Sequence, residues 1–219
     1  MAAPALKRAD VRAFVGTTGS GKGVGVNEAL DELKPTRLVI FDPLKEYADR
    51  GIVVSDVRQV IAAMKKPAFK MIWQPHDDTE YDKDEFKRDF AALCKVVFMA
   101  GDLVFVVEEL ELVTRPTWAP APWRNCTKRG RHQRLVIIAA CQRPADADKA
   151  FWSSCMYIRC HALRESSDKD RMAKVLDVPY EQINALKTKA ISDRETHITY
   201  YEKDFNRDTF GEKTNKLRR

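Results

Sequence analysis

Residues Gly16 to Gly23 read Gly-Thr-Thr-Gly-Ser-Gly-Lys-Gly, between an apolar run at Val11 to Val15 and a helical stretch at Lys22 to Leu33. Glycines at this spacing let the backbone curl so that successive N–H groups point inward at anionic oxygens. The helix that follows adds the positive end of its dipole, and Lys22 adds a mobile charge for terminal phosphates. The segment therefore demands a strand–loop–helix unit that cradles a phosphate chain. Gly16, Thr17, Thr18, Gly19, Ser20, Gly21, Lys22, Gly23 and Val24 are its expected lining. Gly23 stands where a Ser or Thr usually offers a hydroxyl to Mg²⁺. Water or Thr18 is left to substitute, and binding with slow turnover or with none stays open.

The remaining pattern alternates short apolar runs with helical periodicity. Arg37 to Asp42, Ile52 to Val54, Phe69 to Trp73, Asp102 to Glu109, Arg134 to Cys141 and Met156 to Cys160 read as strands, mostly apolar on both faces. Between them, helices are expected at Asp56 to Lys65 (capped by Ser55 or Asp56), Tyr81 to Met99, from near Trp123 to about Gly130, and Asp168 to Leu176. Such alternation specifies an α/β fold, a mostly parallel sheet with helices on both faces. Thr196 to Tyr201 alternates like an edge strand. The domain is expected over residues 11–201, with an N-terminal extension at 1–10 and a polar, basic, frayed tail at 202–219.

Two further segments carry chemistry. Nucleotide-hydrolysing sites of this type need an acid beside the metal and a base that orients the attacking water. Glu108 and Glu109 end the apolar strand Leu103 to Val107, and Glu111 follows closely. Glu108 is expected to reach Mg²⁺ through water and Glu109 to act as the base. Gln142, directly after the strand ending at Cys141, is placed to sit between a γ-phosphate and the acid. Among 219 residues the net charge is +6, and the excess is concentrated at Lys128 to Arg134 and Lys213 to Arg219. A basic cluster of that density suits an anionic polymer, and Lys128, Arg129 and Arg134 are its candidate contacts. The five cysteines are odd in number, scattered and without a CxxC pair, which reads as reduced core thiols in a cytosol-like compartment. No run approaches the ~20 apolar residues of a membrane span.

Taken together these segments resemble the FtsK–HerA superfamily of P-loop (RecA/ASCE-like) ATPases. Gly16 to Lys22 is similar to its phosphate loop, and Phe41 to Tyr47 to its second strand and Asp-Pro turn. Val106 to Leu110 looks like its acidic strand, and Arg129 to Lys149 like its basic turn, sensor strand and Gln-Arg-Pro segment. The resemblance runs from about Val11 to Leu163, and Gly23 and Glu108 depart from the family pattern. Within the superfamily the chain looks most like the genome-packaging ATPases of membrane-containing icosahedral viruses. The resemblance implies ATP with Mg²⁺, a homo-oligomeric ring, commonly a hexamer, and double-stranded DNA held without sequence preference in a central channel. It also implies a capsid or portal-vertex partner, and a location in host cytoplasm or at the virion's packaging vertex. A neighbouring subunit would supply an arginine to the transferring phosphate, for which Arg131 and Arg129 are the first candidates, then Arg143 and Arg159.

Other classes stay on the table at this point: a small-molecule P-loop kinase, and a nucleotide-regulated DNA- or capsid-binding module without turnover. Trp118 and Trp123, in a proline-rich loop, read as loop anchors ahead of base-stacking groups. His76, His132, His161 and His197 show no metal-ligand spacing.

Overall fold

The computed structural model describes residues 10–76, 84–192 and 195–218. In chain order these form β1 (Asp10–Val15), α1 (Lys22–Leu33), β2 (Arg37–Phe41), β3 (Ile52–Val54), α2 (Val57–Ala63), β4 (Phe69–Trp73) and α3 (Asp84–Ala100). There follow β5 (Val104–Val107), α4 (Leu110–Val113), α5 (Ala121–Arg129), β6 (Val136–Cys141), α6 (Lys149–Trp152), β7 (Tyr157–Cys160) and α7 (Ser166–Leu176). The chain closes with α8 (Tyr180–Ala185), β8 (Thr188–Ser192), β9 (Glu195–Asp204) and β10 (Thr209–Arg218). One sheet runs β10-β9-β7-β1-β6-β5-β2-β4-β3, with β8 also paired to β9. Its seven strands from β7 to β3 are parallel, and the hairpin β9–β10 and β8 add antiparallel pairing at one side.

Apolar residues on both faces of these strands explain the layering. In β5, Val104 and Val106 join the cluster under α1 with Phe14, Val26, Leu30 and Ile40. Phe105 and Val107 point the other way, into a larger cluster with α3, α5 and α7. Trp123 is central to that second layer, fully buried against the rings of Phe90, Phe105 and Phe151. It anchors the core, as expected of it. Asp56 caps α2 by accepting from the Arg58 amide, and α5 starts at Ala121 with Pro122 in its first turn.

Several expectations are corrected. The strand expected over Asp102 to Glu109 is limited to Val104–Val107, because Gly101, Asp102 and Glu109 adopt positive φ of 58°, 52° and 54°. The expected edge strand at Thr196 is interior, with β10 on one side and β8, then β7 from Tyr201, on the other. The expected frayed tail from 202 is instead the end of β9, a turn and β10, paired from Thr209↔Asp204 to Arg218↔Glu195. Its polarity reflects an outermost strand, with one face in solvent and Asn215 and Leu217 half-buried on the other. The turn is closed by Asp204 Oδ1, which accepts from the Asn206 and Arg207 amides at 2.9 and 3.0 Å. Helix α8 and strand β8 carried no sequence signal strong enough to be expected. The first expected helical residues of α3, 81–83, and the extension at 1–9 lie outside the described residues.

Trp123→Ala is expected to lower the unfolding free energy by about 3–5 kcal/mol, read from urea melts. Trp123→Phe should cost much less, since the indole Nε1–H it removes has no hydrogen-bond partner.

Candidate functional site

Parallel strands put their carboxyl ends on one edge, and there β1 delivers the phosphate loop, β5 the two glutamates, β6 Gln142 and β2 Asp42. Strand β6 lies between β1 and β5, so Gln142 falls between loop and acids. The loop is pinned at its base by Gly16 N–H to Cys141 O and Thr17 N–H to Ala162 O, both 3.1 Å. Two glycines are required by space as well as by curl. A Cβ on Gly16 would lie 2.8 Å from His161 Cβ. Gly21 has φ 96°, and a Cβ there would lie 2.6 Å from Ile198 of β9.

Lys22 is 6% exposed and is held between the acids. Its ammonium forms a short ion pair with Glu108 Oε1 and a second, at 2.9 Å, with Glu109 Oε1. Gln142 continues the chain of contacts. Its Nε2 donates to Glu109 Oε1, and its Oε1 accepts from the Thr18 hydroxyl at 2.8 Å. On the other side Glu108 Oε2 accepts from the Tyr47 hydroxyl at 3.2 Å. Thr18, Gln142, Glu109, Lys22, Glu108 and Tyr47 therefore form one continuous polar relay beneath the loop. Glu109 enters it in the left-handed region, φ 54° and ψ 59°, a conformation an L-residue holds only when its surroundings enforce it.

A further shell fixes this relay. Asp42 is fully buried and accepts from Glu46 N–H, Tyr47 N–H and Gln74 Nε2 at 2.9, 3.0 and 2.8 Å. It thereby sets the turn that aims Tyr47 at Glu108. Glu111 Oε1 accepts from the amides of Gln142 and Arg143 at 2.7 and 2.8 Å, which orients the sensor. Burial pushes the Glu108 carboxyl up to about 7 despite the opposing pull of Lys22. Burial lowers the Lys22 ammonium, yet the two glutamates outweigh it and the net shift is upward. His161, beneath the loop, is pushed down to about 3 by burial and by the charge of Arg159, so it stays neutral.

Above the relay lies an open pocket of about 470 Å³. The loop residues, Glu46 and Gln142 form one side, and Thr196, Ile198 and Leu217 of the β9–β10 hairpin form the other. The sequence reading therefore brought together Lys22, Glu108, Glu109, Gln142 and the loop. It missed Asp42, Glu46, Tyr47, Glu111 as a positioning group, and the hairpin wall. An Asp at a strand end followed by turn residues was the available signal for Asp42. Nothing in the sequence signalled the wall.

The basic candidates lie elsewhere. Lys128 and Arg129 end α5, and Arg131 and Arg134 precede β6, whose far end bears Gln142. Six strand residues at ~3.3 Å each put them about 20 Å from their own phosphate loop. Arg134 pairs with Asp102 at 3.2 Å, both exposed. Arg159 is committed to Glu28 at 2.6 Å and lies over the Tyr200 ring. Arg143 pairs with Asp168 at 2.8 Å. Trp118 is 45% exposed on a turn closed by reciprocal hydrogen bonds with Arg115. All five cysteines are buried and free. No helix among the described residues is long and apolar enough to cross a membrane.

In fold, with the glycine-rich loop between β1 and α1, the chain is similar to P-loop NTPases of the RecA/ASCE-like type. Among curated proteins, Protein P9 of Pseudoalteromonas phage PM2 is 28% identical over 199 residues, covering 89% of this chain and 86% of the phage protein. Among solved structures, the genome packaging NTPase B204 from Sulfolobus turreted icosahedral virus 2, in complex with ATP-gammaS, superposes with TM-score 0.68. It is 16% identical, and the match covers 94% of this chain and 98% of B204. VirB4 of Thermoanaerobacter pseudethanolicus superposes with TM-score 0.63 at 10% identity, over 86% and 88% of the two chains. No protein-family model matches the chain. The chain thus shares its fold with one viral genome packaging NTPase, B204, of the class that its sequence resembles.

The Glu111 carboxyl is pushed up to about 7, first by burial and then by the Glu109 charge, against the backbone donors that lower it. Its ordinary value is 4.5, so between these pH values the folded chain holds the extra proton. That stability is full below pH 4.5 and is lost as pH rises through 7. Glu111→Gln keeps an acceptor for both amides and cannot ionise. Its urea midpoint is expected to gain on the wild type as pH is raised from about 5 to 8. Parallel pH profiles for the two proteins would refute this.

Proposed function

We propose that this chain is an ATP-driven double-stranded DNA translocase that packages a viral genome. The observation that carries the reading is the relay under the loop, in which one buried lysine, two acids and a glutamine converge where a terminal phosphate would sit. Its likeness in fold to a packaging NTPase described with a bound ATP analogue adds support.

The chemistry follows from competition for Lys22. A triphosphate entering the loop offers Lys22 a denser negative charge than the carboxylates it now pairs with, and draws it toward the terminal phosphates. Glu109 is then relieved of its ion pair while still held by Gln142. A carboxylate in that position accepts a hydrogen bond from the attacking water and takes up its proton. Gln142 links this base to Thr18 in the loop, so loss of the γ-phosphate is transmitted from Thr18 through the amide to Glu109.

Mg²⁺, where bound, would neutralise charge on the phosphate oxygens. The residues fit such an ion in part. Glu108 is buried with both oxygens engaged, by Lys22 and Tyr47, which suits contact through water and not direct ligation. Gly23 has no hydroxyl to give.

Arg131 and Arg129 lie at the opposite edge from their own loop, so either would act only on a neighbour's nucleotide. A ring such as a hexamer meets that requirement. Lys128, Arg129 and Arg134 at the same edge would touch DNA phosphates, giving sequence-tolerant and salt-sensitive binding. The missing hydroxyl at Gly23 favours one competing reading, a nucleotide-regulated binding module.

ATP hydrolysis with and without double-stranded DNA, at two salt concentrations, tests the proposal. Stimulation by DNA that fades at high salt is expected, and tight nucleotide binding without phosphate release would favour the binding module. Lys22→Ala should abolish nucleotide-dependent activity, and Glu109→Gln should bind ATP and stall; normal hydrolysis by Glu109→Gln would remove it as the base. Lys128→Ala and Arg129→Ala are each expected to reduce the salt slope of DNA binding by about one, uniformly across sequences.

A further inference from the structure

We propose that Glu46 supplies the protein oxygen for the divalent cation of the nucleotide complex, in place of the hydroxyl that Gly23 lacks. The inference rests on the nucleotide-binding reading above and adds one residue to it.

The argument starts from space. A Cβ on Gly23 would meet nothing within 4 Å, so the volume that a Ser or Thr side chain would occupy is open to the pocket. An ion beside the β- and γ-phosphates would therefore meet no side-chain oxygen from the first turn of α1. The neighbouring acids are already committed. Once Lys22 turns to the phosphates, Glu108 stays buried against Tyr47 and reaches an ion only through water, and Glu109 stays held by Gln142 as the base. The Thr18 hydroxyl donates to Gln142.

Glu46 differs from all of these. It is exposed, and it lines the same pocket as Lys22 and Gly23. Its main chain is nevertheless fixed, because Asp42 Oδ1 accepts from its N–H at 2.9 Å and Asp42 Oδ2 from the next amide at 3.0 Å. The charge of Glu46 is also felt at Glu108, whose carboxyl it helps to raise. An exposed carboxylate on a turn with fixed main chain, beside an open volume, matches what a hard cation takes, oxygen ligands with charge. It also carries a full negative charge where a hydroxyl carries none. Without a cation that charge opposes the phosphates, so Glu46 makes nucleotide binding more dependent on metal than a Ser or Thr would.

The test uses the full chain with ATP-gammaS as nucleotide and Mn²⁺ as the cation, free Mn²⁺ being read by electron paramagnetic resonance. Binding of ATP-gammaS at saturating Mn²⁺ comes first. If the wild type fails to bind, or Lys22→Ala binds equally well, the nucleotide reading itself falls and this inference with it. With binding established, Glu46→Gln is expected to weaken Mn²⁺ affinity about tenfold, while affinity for ATP-gammaS in EDTA is unchanged or tighter. Gly23→Ser, for which the open volume has room, should restore Mn²⁺ affinity in the Glu46→Gln background. Mn²⁺ affinity of Glu46→Gln within about twofold of wild type, or no recovery on adding Gly23→Ser, would overturn the assignment.

Discussion

Everything at the carboxyl edge of the sheet is arranged around one buried ammonium held by two carboxylates. Lys22 reaches Glu108 and Glu109 only because β6 is interposed between the strands that carry them, which sets the spacing between loop and acids. Removing one member of such a group leaves charge stranded in a poorly solvated site, which is far costlier than the group's net contribution to stability. The surrounding residues are disposed to prevent that. Tyr47 satisfies the second oxygen of Glu108, Gln142 shares Oε1 of Glu109 with Lys22, and Asp42 and Glu111 fix the backbone that presents Tyr47 and Gln142.

The same arrangement explains why a resting site can be both stable and responsive. Its cation is satisfied internally, so Lys22 is neither exposed nor unpaired. Glu108 and Glu111 sit near neutrality in proton affinity because burial opposes their charge. A phosphate ligand need only offer Lys22 a better partner for the acids to be redistributed. The strained backbone at Glu109 lies at the point where that redistribution is felt.

The central strands were legible in the sequence because parallel strands buried on both faces are written as unbroken apolar runs, as at Leu103 to Val107 and Leu135 to Cys141. The loop, the acids and Gln142 were legible because each directly ends or follows such a run. The β9–β10 hairpin was legible only in part, as the strand at Thr196 to Tyr201. Its outer strand, with only Phe210 and Leu217 among its large apolar residues, faces solvent and reads as a tail. Positioning residues were hidden for a different reason. Asp42 and Glu111 act by accepting backbone N–H groups, and a carboxylate that organises main chain has no motif distinguishing it from a solvated one. The cluster at Lys128 to Arg134 was visible as charge, while its position at the edge remote from the loop depended on strand direction.

The contact between Ile198 and Gly21 bears on how the molecule is made. Strand β1, which delivers the loop, pairs only with β6 and β7, and the hairpin that packs on Gly21 comes later still. A chain emerging from the ribosome thus holds its glycine-rich segment without the neighbours that shape it until β6 and β7 have been made. Closing such distant pairings is the slow part of folding in α/β proteins. Phosphate affinity is in this sense a late-acquired property, arriving only once strands from the far end of the chain have docked beside the first.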